Sequence, residues 1–268
     1  MYQAELYHDN FQNFKRYDIP KAQLVIADIP YNIGENAYGS NPAWYIDGDR
    51  KNGESKHAKS AFFRSDYSFN ICEFFHFCNH LLKKEPKEKG KAPCMIVFCA
   101  FQQLQLVIDY AERYGFKHYI PLVFVKNTSP QVLKANMKVV GAVEYALILY
   151  REKLPKFNND GKMVLNWFRW ERDDSYPKIH PTQKPIPVLK RLIELFTDEG
   201  DVVIDPVAGS GTTLRAAMEL NRRGFGFEVD RQTAREALRK MIDMEYIEKP
   251  TMADGSIQMT FSMRGNET

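Results

Sequence analysis

Two apolar runs in this 268-residue chain end on an acid and then break sharply. The C-terminal one reads Val202-Val203-Ile204-Asp205-Pro206-Val207-Ala208-Gly209-Ser210-Gly211-Thr212-Thr213. Such a run predicts a strand that turns through small residues into a helix. Glycines there let the backbone approach a ligand closely, and the helix start presents free N–H groups. In an open α/β sheet this is the edge at which ligands bind. Position 214 is leucine, so the third glycine of a dinucleotide fingerprint is missing, and no Lys-Ser/Thr pair follows the glycines as a phosphate loop would need. Asp205 suits a cofactor with a positively charged amino group. Phe225-Gly226-Phe227-Glu228-Val229-Asp230 then supplies a second acid-ended strand. Glu228 is the better placed acid to accept hydrogen bonds from two ribose hydroxyls. Singly, Asp205 and Glu228 read equally well as helix caps or solvated acids. Together with the glycine turn they point to an adenosyl cofactor.

The N-terminal run, Leu24-Val25-Ile26-Ala27-Asp28, is followed by Ile29-Pro30-Tyr31. Alone it reads as a buried strand ending in a turn with a packed tyrosine. Apolar runs at 95–100, 119–125 and 144–150 predict three more strands, and the segment 224–230 holds another. Helices are expected at 67–82, 101–114 (stopped by Gly115), 185–196 with Pro185 in the first turn, 212–221 and 232–246. The alternation argues for a largely parallel sheet flanked by helices. With 44% hydrophobic and 26% charged residues, the chain carries enough apolar material for one sizeable core. Its formal charge of +3 tolerates a polyanionic partner without requiring one. Cys72, Cys78, Cys94 and Cys99 form no C-x-x-C pair, so neither a zinc site nor a disulfide framework is expected, and a cytoplasmic protein with reduced thiols is. The polar start MYQAELYHDN is not a signal peptide, and no run approaches a membrane span.

Asp28-Ile29-Pro30-Tyr31 resembles the catalytic motif of DNA amino-methyltransferases, (D/N/S)-P-P-(Y/F/W). The order of motifs is similar to their beta group, in which this motif precedes the cofactor loop. The resemblance runs through most of the chain: Asp9 in HDN, DIPYNIG at 28–34, Val143-Glu144-Tyr145, His180-Pro181-Thr182-Gln183-Lys184-Pro185, DPVAGSGTT at 205–213, and Glu228. It implies one circularly permuted, Rossmann-like methyltransferase domain over 1–268, with an inserted loop at 34–66 and a short target-recognition segment at 151–179. It implies S-adenosyl-L-methionine as cofactor and N6 of adenine in DNA as acceptor. N4 of cytosine, a non-catalytic partner subunit of the same fold, and an RNA or protein-amide acceptor are the alternatives. An aspartate in the first position is commoner in adenine enzymes.

The chemistry accounts for these residue types. An exocyclic amine is a poor nucleophile because its lone pair is delocalised into the ring. The resemblance implies that Asp28 accepts one amine hydrogen and the backbone carbonyl of Ile29 the other, stabilising developing positive charge. Tyr31 would stack on a base flipped out of the duplex, and Pro30 completes the motif. Ile29 departs from the usual proline. Its carbonyl remains, but proline's fixed φ is lost. By the same resemblance Asp9 sits near the cofactor's adenine, Thr182, Gln183 and Lys184 line its methionine end, and Lys184 pairs with its carboxylate. Asp28, Asp205, Pro206, Ala208, Gly209, Ser210, Gly211, Thr212, Thr213 and Glu228 complete the expected cofactor site, and no metal is expected. Trp167, Phe168, Arg169, Trp170 and Arg172 read either as DNA-contacting wedges and phosphate clamps or as core packing. The basic residues of the 34–66 loop read either as a phosphate track or as a solvated loop. Family members are monomers or dimers, so a homodimer is entertained, as is a cognate restriction endonuclease or an orphan or phage-type role.

Overall fold

The computed structural model describes residues 3–31, 69–126, 131–134, 137, 139–170, 175–180, 182–241, 247–248 and 257–262. The expected inserted loop at 34–66 and Arg172 lie outside these residues, as does the last part of the helix expected over 232–246.

Twelve strands are described: β1 (Gln3–His8), β2 (Leu24–Asp28), β3 (Cys94–Cys99), β4 (His118–Lys126), β5 (Gln131–Lys134), β6 (Val139–Gly141), β7 (Val143–Tyr150), β8 (Trp167–Trp170), β9 (Val202–Asp205), β10 (Arg223–Phe227), β11 (Ile247–Glu248) and β12 (Ile257–Ser262). The α-helices are α1 (Ile71–Leu81), α2 (Leu104–Arg113), α3 (Ile186–Phe196), α4 (Thr212–Glu219) and α5 (Arg231–Glu236). Ten strands form one sheet in the order β11-β12-β1-β10-β9-β2-β3-β7-β4-β8, and β5 and β6 make a separate pair. From β1 to β3 every pairing is parallel. β7 then runs antiparallel between β3 and β4, and β12 antiparallel to β1.

The central strands are buried on both sides, which is why they read as unbroken apolar runs. Alternation along β2 sends Leu24 and Ile26 to one face, against Leu189, Leu192 and Ile193 of α3. Val25 and Ala27 go to the other, with Phe74, Phe75 and Phe77 of α1. Helices thus cover both faces, as the α/β doubly covered architecture requires.

Several expectations are refined. The helix expected from Phe101 opens with a 3-10 turn, Phe101–Gln103, before α2 begins. The last helix passes at Ala237 into a wider π-type turn, Ala237–Met241. β1, β8 and the antiparallel edge formed by β11 and β12 were not expected.

Strand β10, Arg-Gly-Phe-Gly-Phe, explains how the glycine turn sits so low on the sheet. A Cβ on Gly226 would lie 3.1 Å from Leu214 Cδ1, 3.0 Å from Ala208 Cβ and 3.2 Å from the Asp205 carbonyl oxygen. One on Gly224 would lie 3.1 Å from Leu214 Cδ2. The close helix–strand approach that a third glycine at 214 would provide on the helix is provided here by two glycines on the strand.

Candidate active site

The parallel register Leu24↔Val203 and Val25↔Ile204 carries Asp28 and Asp205 out at the same sheet edge. Two neighbouring connections leave in opposite directions from this point: β2 continues to β3, whereas β9 continues to β10. This is the topological switch point, where a crevice opens. The acid-capped turn after β2 and the small-residue turn after β9 are therefore neighbours.

Asp28 is held through Oδ2, with the Tyr31 hydroxyl also close to the carboxylate. Lys184 Nζ, immediately before Pro185 and α3, donates to Asp28 Oδ2 at 2.5 Å and lies 3.1 Å from Glu144 Oε2. Asp28 Oδ1 is shielded from solvent and has no hydrogen-bond partner among the described residues. A buried carboxylate oxygen without a donor is costly, and it marks where a ligand N–H fits. Burial raises the Asp28 pKa; the Lys184 charge opposes this and the Glu144 charge adds to it. For Lys184, burial would lower the pKa, but Asp28 and Glu144 outweigh it and keep the ammonium charged. Burial would likewise raise Glu144, yet Lys184 and Lys126 hold it below the usual range. Lys126 closes the cluster with an ion pair to Glu144. The side chains of Lys184 and Glu144 are only 8% and 14% exposed. Both ammonium groups also face Trp170, at 5.1 Å and 4.8 Å from its ring centroid.

The turn after Asp28 is fixed by groups the motif does not show. The Ile29 N–H donates to the Phe98 carbonyl at 3.2 Å, a bond proline could not make, and the Ile29 side chain is buried in the core. The substitution thus replaces a fixed φ with a hydrogen bond and an apolar anchor. Gln103 Nε2 donates to the Pro30 carbonyl at 2.8 Å, while its Oε1 accepts from the Ala100 N–H at 3.0 Å. The Tyr31 hydroxyl donates to Glu144 Oε2 at 3.2 Å.

Across the crevice, Gly209 (φ 51°) and Gly211 (φ 76°) take left-handed conformations that favour glycine. Pro206, Ala208, Ser210, Gly211, Thr212 and Thr213 are buried in the turn. The Val207 N–H donates to Asp205 Oδ1 at 3.0 Å, and the Gly209 N–H to Glu228 Oε2 at 2.9 Å. Burial pushes both the Asp205 and Glu228 carboxyls up to about 7. Among the described residues neither carboxyl is paired with a cation, so the site favours a ligand that brings positive charge. These residues fit a cationic adenosyl cofactor.

The other expected residues are placed differently from one another. Asp9 follows β1, beside the end of β10. Its oxygens accept from the Asn10 N–H, Asn13 Nδ2 and the Tyr17 hydroxyl, so it braces the turn that follows, whose cap is Asn10. Gln183 staples its own loop, accepting from the Ile179 N–H and donating to the Pro177 carbonyl. Thr182 is exposed and its hydroxyl meets His180 Nδ1 at 2.9 Å. For Lys184, the carboxylate partners are the protein's own Asp28 and Glu144. In the 151–179 segment the wedge reading does not hold for Phe168 and Trp170. Phe168 stacks on Phe124 at 5.4 Å, and Trp170 packs edge-on against Phe98 and Phe124. Trp167 and Arg169 alternate onto the opposite, exposed face.

In the sequence Glu144 stands out only as part of Val143-Glu144-Tyr145, and Lys126 and Gln103 carry no signal. Among the described residues no acid, cysteine or histidine cluster could hold a metal, and no helix is long and apolar enough to cross a membrane.

Comparison with known proteins gives a consistent picture. The chain is 28% identical over 258 residues to the DNA adenine methyltransferase YhdJ of Escherichia coli K12, a match covering 88% of this chain and 81% of the relative. Its fold is similar to that of M1.HpyAVI, solved as a complex with SAM (TM-score 0.62, 21% identity, 88% of this chain and 98% of that one). It is also similar to that of the cytosine-N4-specific PvuII DNA methyltransferase (TM-score 0.63, 14% identity, 88% and 85%). The sequence profile of the N6/N4 DNA methylases matches residues 22–239, and with most of its length inside that match the chain belongs to this DNA methylase family.

Proposed function

We propose that the protein transfers a methyl group from S-adenosyl-L-methionine to N6 of adenine in DNA, with the base turned out of the helix into the crevice between the two turns. The observation that carries this reading is Asp28 Oδ1, a shielded acceptor without a donor among the described residues, at the switch point of the sheet. The 28% identity to an adenine methyltransferase over most of the chain supports adenine as the base.

Asp205 and Glu228 would hold the cofactor's charged and hydroxyl groups, and the glycine turn would let its backbone approach them. The cofactor would supply an electrophilic methyl group and leave as the neutral thioether, and the methylated amine would shed one proton along its hydrogen bond to Asp28. The chain positions the amine. Asp28 Oδ1 accepts one hydrogen of the amine and the Ile29 carbonyl accepts the other, drawing the nitrogen lone pair out of conjugation. Both acceptors face positive charge as it develops, which is where electrostatic stabilisation counts. They also aim the nitrogen, converting an encounter into a positioned attack. Tyr31, anchored through its hydroxyl to Glu144, offers its ring to the base face.

Transfer of labelled methyl from the cofactor to DNA, followed by nucleoside analysis, tests the proposal. N6-methyladenine is expected as product. N4-methylcytosine would overturn the choice of base. Asp28→Ala should bind cofactor but transfer no methyl, and full activity in that variant would remove Asp28 from the chemistry.

A further inference from the structure

The buried charges behind Asp28 have no part in the acceptor chemistry just described, yet they are costly to bury. Lys184 stands directly before the start of α3, where the helix dipole disfavours a cation. A buried ion pair is poor evidence for stability, because desolvation rivals the Coulombic gain. The arrangement needs another reason. Lys184 binds only one oxygen of Asp28, Oδ2, and leaves Oδ1 bare. Without a second anion, the Lys184 ammonium would be free to turn and cover both oxygens. It would also set an uncompensated positive charge beside an amine that becomes positive in the reaction. Glu144 Oε2 takes the second side of that ammonium at 3.1 Å and accepts from Tyr31 as well. Lys126 in turn holds the other Glu144 oxygen, and Trp170 walls both lysines.

We infer that Glu144 is a positioning residue for methyl transfer: through Lys184 it fixes the Asp28 carboxylate with Oδ1 unpaired, and through Tyr31 it fixes the ring beside it. This rests on the reading of Asp28 as the amine acceptor. The groups facing Asp28 are Tyr31 on its own loop, Cys99 at the end of β3, Glu144 on β7, Lys184 before α3 and Asp205 at the end of β9. Lys126 on β4 reaches it through Glu144.

The test is kcat for methyl transfer to DNA across pH, with cofactor affinity and the KM for DNA, in the wild type, Glu144→Gln, Lys126→Met and Asp28→Ala. Glu144→Gln should lower kcat about 10- to 100-fold, the range for residues that orient a primary group. Cofactor affinity should stay within about threefold, because nothing that would line the cofactor is removed, and KM for DNA should rise less than kcat falls. The negative charge of Glu144 favours protonation of Asp28, so its loss should move the acid limb of kcat to lower pH. Lys126→Met removes a positive charge from the same cluster and should move that limb to higher pH. Opposite displacements carry the inference, and Lys126→Met alone still decides it should Glu144→Gln fail to fold. A folded Glu144→Gln enzyme with wild-type kcat and pH profile, while Asp28→Ala is inactive, overturns the role of Glu144 and leaves Asp28 standing. Lys126→Met with an unmoved acid limb also overturns it. Activity retained in Asp28→Ala overturns both readings together.

Discussion

Leu214 of α4 lies over Gly226 of β10 so closely that a Cβ on the glycine would stand 3.1 Å from the leucine's Cδ1. The contact is the device that lowers the glycine turn onto the sheet beside Asp205. Gly226→Ala would also press on Ala208 and on the Asp205 carbonyl oxygen, which is backbone and cannot swing aside. Overpacking of this kind costs about 1–3 kcal/mol, or a drop of roughly 2–4 °C in melting temperature per kcal/mol for a chain of this size. The turn itself is displaced, so cofactor affinity should fall further than stability alone explains. Melting curves with and without cofactor check this. An alanine variant with unchanged melting temperature and affinity would mean that the turn does not depend on the contact.

Ile29 makes the opposite case, a departure from the usual motif that the structure has built around. Ile29→Pro restores the family residue but removes the N–H that donates to Phe98 and most of a buried side chain. The lost hydrogen bond is worth about 1 kcal/mol and the lost packing about 1–2 kcal/mol. The variant should therefore melt several degrees lower. It should keep methyl transfer within about tenfold, because the carbonyl proposed as an acceptor for the amine is retained. Loss of all activity in a folded Ile29→Pro protein would show that the side chain, not the carbonyl, matters at this position.

What the sequence disclosed follows from which physical signals are local. β2 and β9 were legible because a strand buried on both faces reads as one apolar run, and in both the run ends on an acid. Asp28 and Asp205 came with them. β1 is hard to read because the alternation in Gln-Ala-Glu-Leu spans only four residues before Tyr-His and sits in a polar N-terminus. β8 was missed because four residues carry too little pattern. Lys184 was legible as a residue, but its partners were not. Glu144 and Lys126 meet because Phe124 pairs with Glu144 and Val125 with Val143 across an antiparallel ladder, and no spacing along the chain reports that.

Cofactor binding should depend on pH through Asp205 and Glu228. Burial holds both carboxyls at about 7 in the cofactor-free protein. Their ionised forms are the ones that accept from an ammonium or a ribose hydroxyl, so binding below about pH 7 must first release protons. The dissociation constant should rise as pH falls through 7, by up to about tenfold per unit for each group coupled to binding. Calorimetry in buffers of different ionisation enthalpy measures the protons released. An affinity that is flat between about pH 5.5 and 8 would separate these acids from the cofactor.

The same shift makes a statement about stability. Asp205 has a folded pKa of about 7 against an ordinary value of 3.8. A raised carboxyl costs nothing below the unfolded pKa. The cost appears as pH rises from about 3.8 and is complete above about 7. Over about three pH units, at roughly 1.4 kcal/mol per unit, it amounts to about 4–5 kcal/mol. Asp205→Asn keeps an oxygen for the Val207 N–H and removes the charge. Cofactor-free Asp205→Asn should thus melt higher than wild type at pH 8 and alike at pH 4, while losing most of the stabilisation that cofactor adds. A lower melting temperature at pH 8 would mean that the carboxylate is structurally required in the free protein.

β8 allows the two readings of the 151–179 segment to be separated residue by residue. Phe168 stacks on Phe124 under the sheet, whereas Trp167, 45% exposed, and Arg169 face outward beside the catalytic edge. Phe168→Ala should therefore cost about 1–3 kcal/mol in stability, and any effect on DNA should follow the fraction unfolded. Trp167→Ala should leave the melting temperature within about 1 °C, since an exposed substitution is usually within about 0.5 kcal/mol. It should weaken DNA binding by about 1–3 kcal/mol if the indole stacks on a base. Arg169→Ala should reduce the slope of binding against salt by about one, the signature of one lost phosphate contact. Binding titrations over a salt series, with melting curves alongside, resolve all three. If Trp167→Ala and Arg169→Ala both bind DNA as the wild type does, β8 belongs to the packing of the sheet alone, and the DNA-contacting surface lies elsewhere around the crevice.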